Sequence, residues 1–131
     1  MQKQRAVYLM CKSAESSAVR QFLARVGDKW SVLLVVILAR TPGHRARFSE
    51  LQRALDGISQ RMLTTTLRNL ERDGFVSREV FAEVPPRVEY ELTRLGHGLV
   101  EPMEHLVQWI GSNWGALTRA RATFDDRQDT R

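Results

Sequence analysis

A mainly helical fold with one small β-hairpin is predicted by three features of this 131-residue sequence. Apolar residues recur at helical spacing in several separated stretches, and capping residues mark where those stretches begin. Two short runs after Gly74, Phe75 to Phe81 and Arg87 to Leu92, alternate instead and are rich in β-branched and aromatic residues. Turn signals at Gly27, Pro42-Gly43, Gly57 and Gly74 divide the chain into those pieces.

Residues 1–15 are mixed and polar around an apolar knot from Val7 to Met10, and read as a flexible arm or a frayed first helix. From Ser16 to Val26, Val19, Phe22, Leu23 and Val26 define an amphipathic helix that Gly27 stops. Asp28 is placed to cap the next helix, Lys29 to Arg40, which is apolar nearly all round and therefore belongs at the centre of the core. Thr41 to Arg47 is a turn by composition, since Pro42 cannot continue a helix.

Phe48-Ser49-Glu50 then resembles a staple followed by a cap, opening a short helix to Leu55, with Ser49 as the capping residue. Asp56-Gly57-Ile58 is a tight turn, and Ser59 is positioned to cap a helix running to Asp73. At about 100° per residue, Leu63, Leu67 and Leu70 fall on one stripe of that helix, and Arg61, Thr64, Thr65, Arg68 and Arg72 on the opposite one. Gly74 ends it, because a residue without Cβ takes the left-handed conformation cheaply. In the hairpin that follows, Val88, Tyr90 and Leu92 share a face, and Pro85-Pro86 stiffens the tip and denies it to a third strand. Helix, turn, helix and hairpin in this order make a winged helix-turn-helix, predicted as one domain over residues 16–117.

Thr93 is placed to cap a last helix carrying Leu95, Leu99, Met103, Leu106, Ile110, Trp114 and Leu117 at spacings of helical period. Pro102 is expected to kink or restart it, and Gly96, Gly98, Gly111 and Gly115 lower its intrinsic stability. Packing against a second copy would cover that seam. The expected homodimer interface comprises Val19, Phe22, Leu23, Met103, Leu106, Ile110, Trp114 and Leu117. Residues 118–131 are charged, with little apolar content, and are expected to be disordered.

Composition narrows the function. Twenty basic residues against 15 acidic give a net charge of +5, an excess carried mostly by arginine, which favours a polyanionic partner. One cysteine excludes an internal disulfide framework and leaves Cys11 as the single redox candidate. His97 and His105 are too far apart for one metal-binding helix face, and Glu101 with His105 is an ordinary surface pair, so neither a metal nor a cofactor is expected. No nucleophile elbow, phosphate loop or carboxylate pair is present, which argues against an enzyme. No apolar stretch reaches membrane-spanning length, and Val7 to Cys11 is too short for a signal-peptide core, so the expected location is the cytoplasm.

The second helix of such a motif enters the major groove of double-stranded DNA. That makes Arg61, Arg68 and Arg72, with the short Thr64 and Thr65 beside them, the expected contact face. Gln60 and Thr64 suit base reading or phosphate contact, and Ser59 with the neighbouring amides suits a phosphate. Arg45 and Arg47, in the loop before the motif, are expected at phosphates. Arg87 either reaches the minor groove or pairs with Glu83 or Glu89, two readings the sequence leaves open. Trp30, Phe22, Trp109 and Trp114 either pack in the core or line a pocket for a small-molecule effector. A protein-interaction module without DNA contact is the competing reading.

Gly27-Asp-Lys-Trp30, Arg47-Phe-Ser-Glu-Leu51, Gly57-Ile-Ser-Gln-Arg61, Leu70-Glu-Arg-Asp-Gly74 and Val84-Pro-Pro-Arg-Val-Glu-Tyr90 with Leu92-Thr93 occur in order at compatible spacing. Together with Pro102 and Trp109 they make residues 17–110 resemble the HxlR family of bacterial, MarR-like winged helix-turn-helix transcriptional regulators. The resemblance implies a homodimer on a pseudo-palindromic promoter site, with the wing near the minor groove. It departs in two places. Gly27-Asp28 stands where the family usually has Gly-Gly, and Ser17 stands where many members have the cysteine of a Cys-Pro pair.

Overall fold

Asp28 starts the helix around which the other elements pack. Its Oδ1 accepts from the amides of Trp30 and Ser31 at 3.0 and 2.9 Å, and its Oδ2 accepts from the Ser31 hydroxyl at 2.7 Å. These bonds satisfy two donors that a helix start leaves open, together with the hydroxyl of Ser31, a residue only 1% exposed. Asp28→Ala is expected to cost about 1–2 kcal/mol in a urea melt, and Asp28→Asn to recover part of it.

The computed structural model describes residues 2–12 and 16–130, and side chains within residues 2–9 and 16–130. The elements are α1 (Gln2–Lys12), α2 (Ser16–Val26), α3 (Lys29–Arg40), β1 (Arg45–Arg47), α4 (Phe48–Ala54), α5 (Gln60–Arg72), β2 (Val76–Phe81), β3 (Arg87–Leu92) and α6 (Arg94–Asp129), with a 3-10 turn at Pro42–His44. Leu34, Val35 and Leu38 of α3 are fully buried against Leu51 of α4, Leu63, Leu67 and Leu70 of α5, and Val76, Tyr90 and Leu92 of the sheet. The apolar stripe read from α5 is therefore the face it turns inward. Among the described residues no helix is long and apolar enough to cross a membrane.

The strands form one antiparallel sheet in the order β1-β3-β2. Val76 pairs with Leu92 and Phe81 with Arg87 across the hairpin, in the register that keeps Val88, Tyr90 and Leu92 on one face. β1 is a correction to the sequence reading, which left Arg45 to Arg47 in a loop. Three residues are too short for a periodic signal. Pairing with Glu89 to Glu91 and burial of Ala46 opposite Tyr90 make the strand, clear of the proline tip. The start of α4 also shifts: Arg47, not Ser49, is the cap residue, and its amide donates to the Glu50 carboxylate at 3.1 Å.

α6 differs most from expectation. Thr93 caps it as read, its Oγ1 accepting from the Gly96 amide at 3.1 Å. The helix then passes Pro102 without restarting and continues for 36 residues to Asp129. Pro102 is exposed and the residue one turn back is Gly98, so the carbonyl freed by the missing N–H faces water rather than a packed neighbour. The segment expected to be disordered is helical because no glycine or proline follows Gly115, and extending an existing helix needs no new nucleus. Phe124 stays 60% exposed on it. Met103 is corrected as well, since it lies in the core of its own chain rather than on an open face.

Candidate nucleic-acid interface

Ser59 ends the turn after α4 in an extended conformation, and its Oγ accepts from the Met62 amide at 3.0 Å. α5 is thereby started at a defined residue, and burial of Leu63, Leu67 and Leu70 fixes its rotation. Ser59, Gln60, Arg61, Thr64, Thr65, Arg68 and Arg72 consequently all lie exposed. The Thr64 hydroxyl donates to the Gln60 carbonyl at 2.8 Å, leaving its lone pairs to accept from outside. Among the described residues Arg61, Arg68 and Arg72 take part in no ion pair.

The arginines expected to flank α5 are in a different state. Arg45 bonds Glu79, Glu89 and Glu91, with its Nε 2.7 Å from Glu89 and Nη1 3.2 Å from Glu91. A guanidinium commits its donor fork here to carboxylates from the neighbouring strand β3 and, beyond it, from β2, so Arg45 joins the sheet. Arg87 follows its pairing alternative: Nη1 is 3.2 Å from Glu83, Nε is 2.8 Å from Glu89, and the guanidinium lies 4.0 Å from the Phe81 ring centre. Arg47 is held more loosely, 4.0 Å from Glu50 and about half exposed.

Hydrogen bonding from Arg45 holds the Glu89 carboxyl below its ordinary pKa, with the charges of Arg45, Arg87 and Arg47 acting in the same direction and burial opposing them. A carboxyl lowered on folding stabilises the fold above its unfolded pKa and loses that contribution as pH falls through the lowered value. Acid is therefore expected to weaken the sheet below about pH 4.3. Glu89→Gln should flatten that limb of a thermal-melt series taken against pH.

Arg78 is the cation that the sequence reading missed. It sits opposite Tyr90, on the side of β2 that also carries Val76 and Val80, and is itself exposed. It lines a cleft of about 540 Å³ beneath the wing with Arg47, Phe48, Pro85, Pro86 and Arg87. It also lines a shallower hollow with Thr64, Arg68, Glu71 and Tyr90. Arg78 thus joins the α5 face to the wing and, like the α5 arginines, is in no ion pair among the described residues. An arginine on the apolar side of an alternating strand was the available signal.

Around the remaining expected sites, Val19 and Leu117 are half-buried and Phe22, Leu23, Leu106, Ile110 and Trp114 exposed. Phe22 meets Phe75 edge-on at 6.0 Å, and Trp30 packs on the core. Trp109 and Trp114 are both more than half exposed, with Arg121 lying 5.7 Å from the Trp114 ring centre. Cys11 belongs to α1, but its side chain is outside the described residues.

A short helix, a tight turn, a second helix with an exposed arginine face and a hairpin beside it define a winged helix-turn-helix protein. Comparison with known proteins agrees. A family model described as HxlR-like helix-turn-helix matches residues 25–118. YtfH of Escherichia coli K12, an uncharacterized HTH-type transcriptional regulator, is 41% identical over 114 residues, covering 87% of this chain and 86% of its own. The solved structure of a putative transcriptional regulator, ytfH from Salmonella typhimurium, superposes with a TM-score of 0.73 at 38% identity, covering 79% of this chain and 90% of that one. The reduced form of the redox regulator HypR gives 0.69 at 39% identity, covering 78% and 98%. The chain belongs to the HxlR-like helix-turn-helix family, a family of transcriptional regulators rather than enzymes.

Proposed function

We propose that the chain is a sequence-specific DNA-binding regulator that acts as a cytoplasmic homodimer on a pseudo-palindromic promoter site. The observation carrying this reading is the exposed face of α5, where Arg61, Arg68 and Arg72, in no ion pair among the described residues, stand beside Thr64 and Thr65. Unpaired arginines on a rigid helix are available to phosphates and guanine edges without first breaking an internal bond. With α5 in the major groove, Gln60 and Thr64 read base edges, Ser59 and the first amides of the helix hold a phosphate, and Arg47 and Arg78 follow the backbone toward the wing. Arg45 and Arg87 serve the wing's shape instead.

Two such readers on one DNA face require a two-fold assembly. The apolar residues left open on α2 and α6, Leu23, Leu106, Ile110 and Trp114 among them, support one through those helices. Sedimentation velocity at micromolar concentration is expected to show a dimer, and Trp114→Glu to shift it toward monomer. A wild-type protein that stays monomeric removes the two-fold reading.

Fluorescence anisotropy with the duplex upstream of the chain's own coding sequence, titrated across salt, tests DNA binding. Expected is saturable binding whose logarithm falls steeply with the logarithm of salt concentration. Weak binding insensitive to salt would instead favour a protein-interaction module.

A further inference from the structure

His44 and His97 are 53 positions apart in the chain, yet Nδ1 of His44 lies 3.3 Å from Nε2 of His97. Their ring centres are 4.6 Å apart, with the planes tilted by 58°. Two imidazole nitrogens on one tetrahedral ion, each bound at about 2.0–2.1 Å, are separated by roughly 3.3–3.4 Å. The observed spacing suits two ligands of a single metal ion as well as it suits an N–H···N hydrogen bond between the rings.

The backbone that carries each ring is fixed by local hydrogen bonds rather than by burial. His44 ends the 3-10 turn with φ 54, in the left-handed region that non-glycine residues seldom occupy. Its amide donates to the Thr41 carbonyl at 2.9 Å. His97 lies in the first turn of α6, fixed by the Thr93 cap and by an amide bond to the Thr93 carbonyl at 2.9 Å. Both residues are exposed, so an ion reaches them without opening the core.

We infer that His44 and His97 form a surface site for a divalent transition metal ion of the kind that prefers imidazole, Cu²⁺, Ni²⁺ or Zn²⁺. Among the described residues no third histidine, cysteine or carboxylate joins them, and water completes the coordination shell. A bound ion links the loop ahead of β1 to the start of α6, and so braces the edge of the sheet that carries the wing. Affinity follows the usual order for nitrogen ligands, with Cu²⁺ above Ni²⁺ and above Zn²⁺.

Calorimetric titration of the untagged full chain with Cu²⁺ and with Ni²⁺, in a non-coordinating buffer near neutral pH, tests this. One ion per chain is expected. His97→Ala and His44→Ala should each weaken binding at least about tenfold, while His105→Ala, further along α6, leaves it unchanged. His44→Asn is the second variant at that position, because asparagine tolerates a positive φ. The metal should raise the thermal midpoint of the wild type and not of the His44 and His97 variants. Absence of saturable binding to the wild type, binding that survives both pair variants, or an equal loss in His105→Ala overturns the site. In the first case the two rings share only a hydrogen bond.

Discussion

Gly96→Ala is expected to lose about 3 kcal/mol of stability, near the upper end for overpacking a close contact, and to do so without touching any exposed surface. A Cβ on Gly96 would stand 2.1 Å from the Phe75 carbonyl oxygen and 3.1 Å from its carbon. That carbonyl cannot swing aside, because it accepts from the Thr93 amide at 3.0 Å. The carbonyl before it, on Gly74, is held by the Thr93 hydroxyl. The added methyl must therefore push α6 off the start of β2 or break the cap that begins the helix. Gly98→Ala provides the contrast. It has nothing within 4 Å of the new Cβ and should gain up to about 1 kcal/mol from helix propensity. Urea melts of the two variants and the wild type decide it. Equal midpoints for Gly96→Ala and the wild type would mean that α6 does not approach Phe75 this closely.

Arg68→Ala should weaken operator binding by about 1–3 kcal/mol if the guanidinium reads a base, roughly fivefold to 150-fold in affinity. If it meets a phosphate instead, the slope of log affinity against log salt should fall by about one for all sequences alike. Arg68 is exposed on α5 and lines the hollow that Arg78 shares, so Arg78→Ala is expected to act in the same direction. Arg45→Ala should separate from both. Its guanidinium is committed to Glu79, Glu89 and Glu91, so its loss lowers the melting temperature and leaves the salt slope unchanged. Unchanged binding in both Arg68→Ala and Arg78→Ala would take this surface out of the DNA interface, whatever the dimer does.

Several features were legible in the sequence because their causes are local. Asp28, Ser59 and Thr93 mark helix starts through side chains that bond amides two or three residues on. The leucine stripe of α5 sets which face turns inward, and so which arginines stay outside. Gly74 and the alternation after it place the wing. The orientation of the candidate DNA face rests on these features alone.

Other features depended on residues distant in the chain, and no local pattern carries them. Arg45 and Arg78 look alike as sequence, but the first is bonded to three glutamates from β2 and β3, while the second, which shares a hollow with Glu71, is in no ion pair among the described residues. β1 exists because β3 presents an open edge to it, and Met103 is core because α6 lies against α3. His44 and His97 meet only because the loop before β1 and the start of α6 converge. Caps and periodicity act over a few residues and so are written in the order of the chain. Ion pairing, strand addition and close backbone approach depend on which distant groups the fold brings together, and only the tertiary structure decides that.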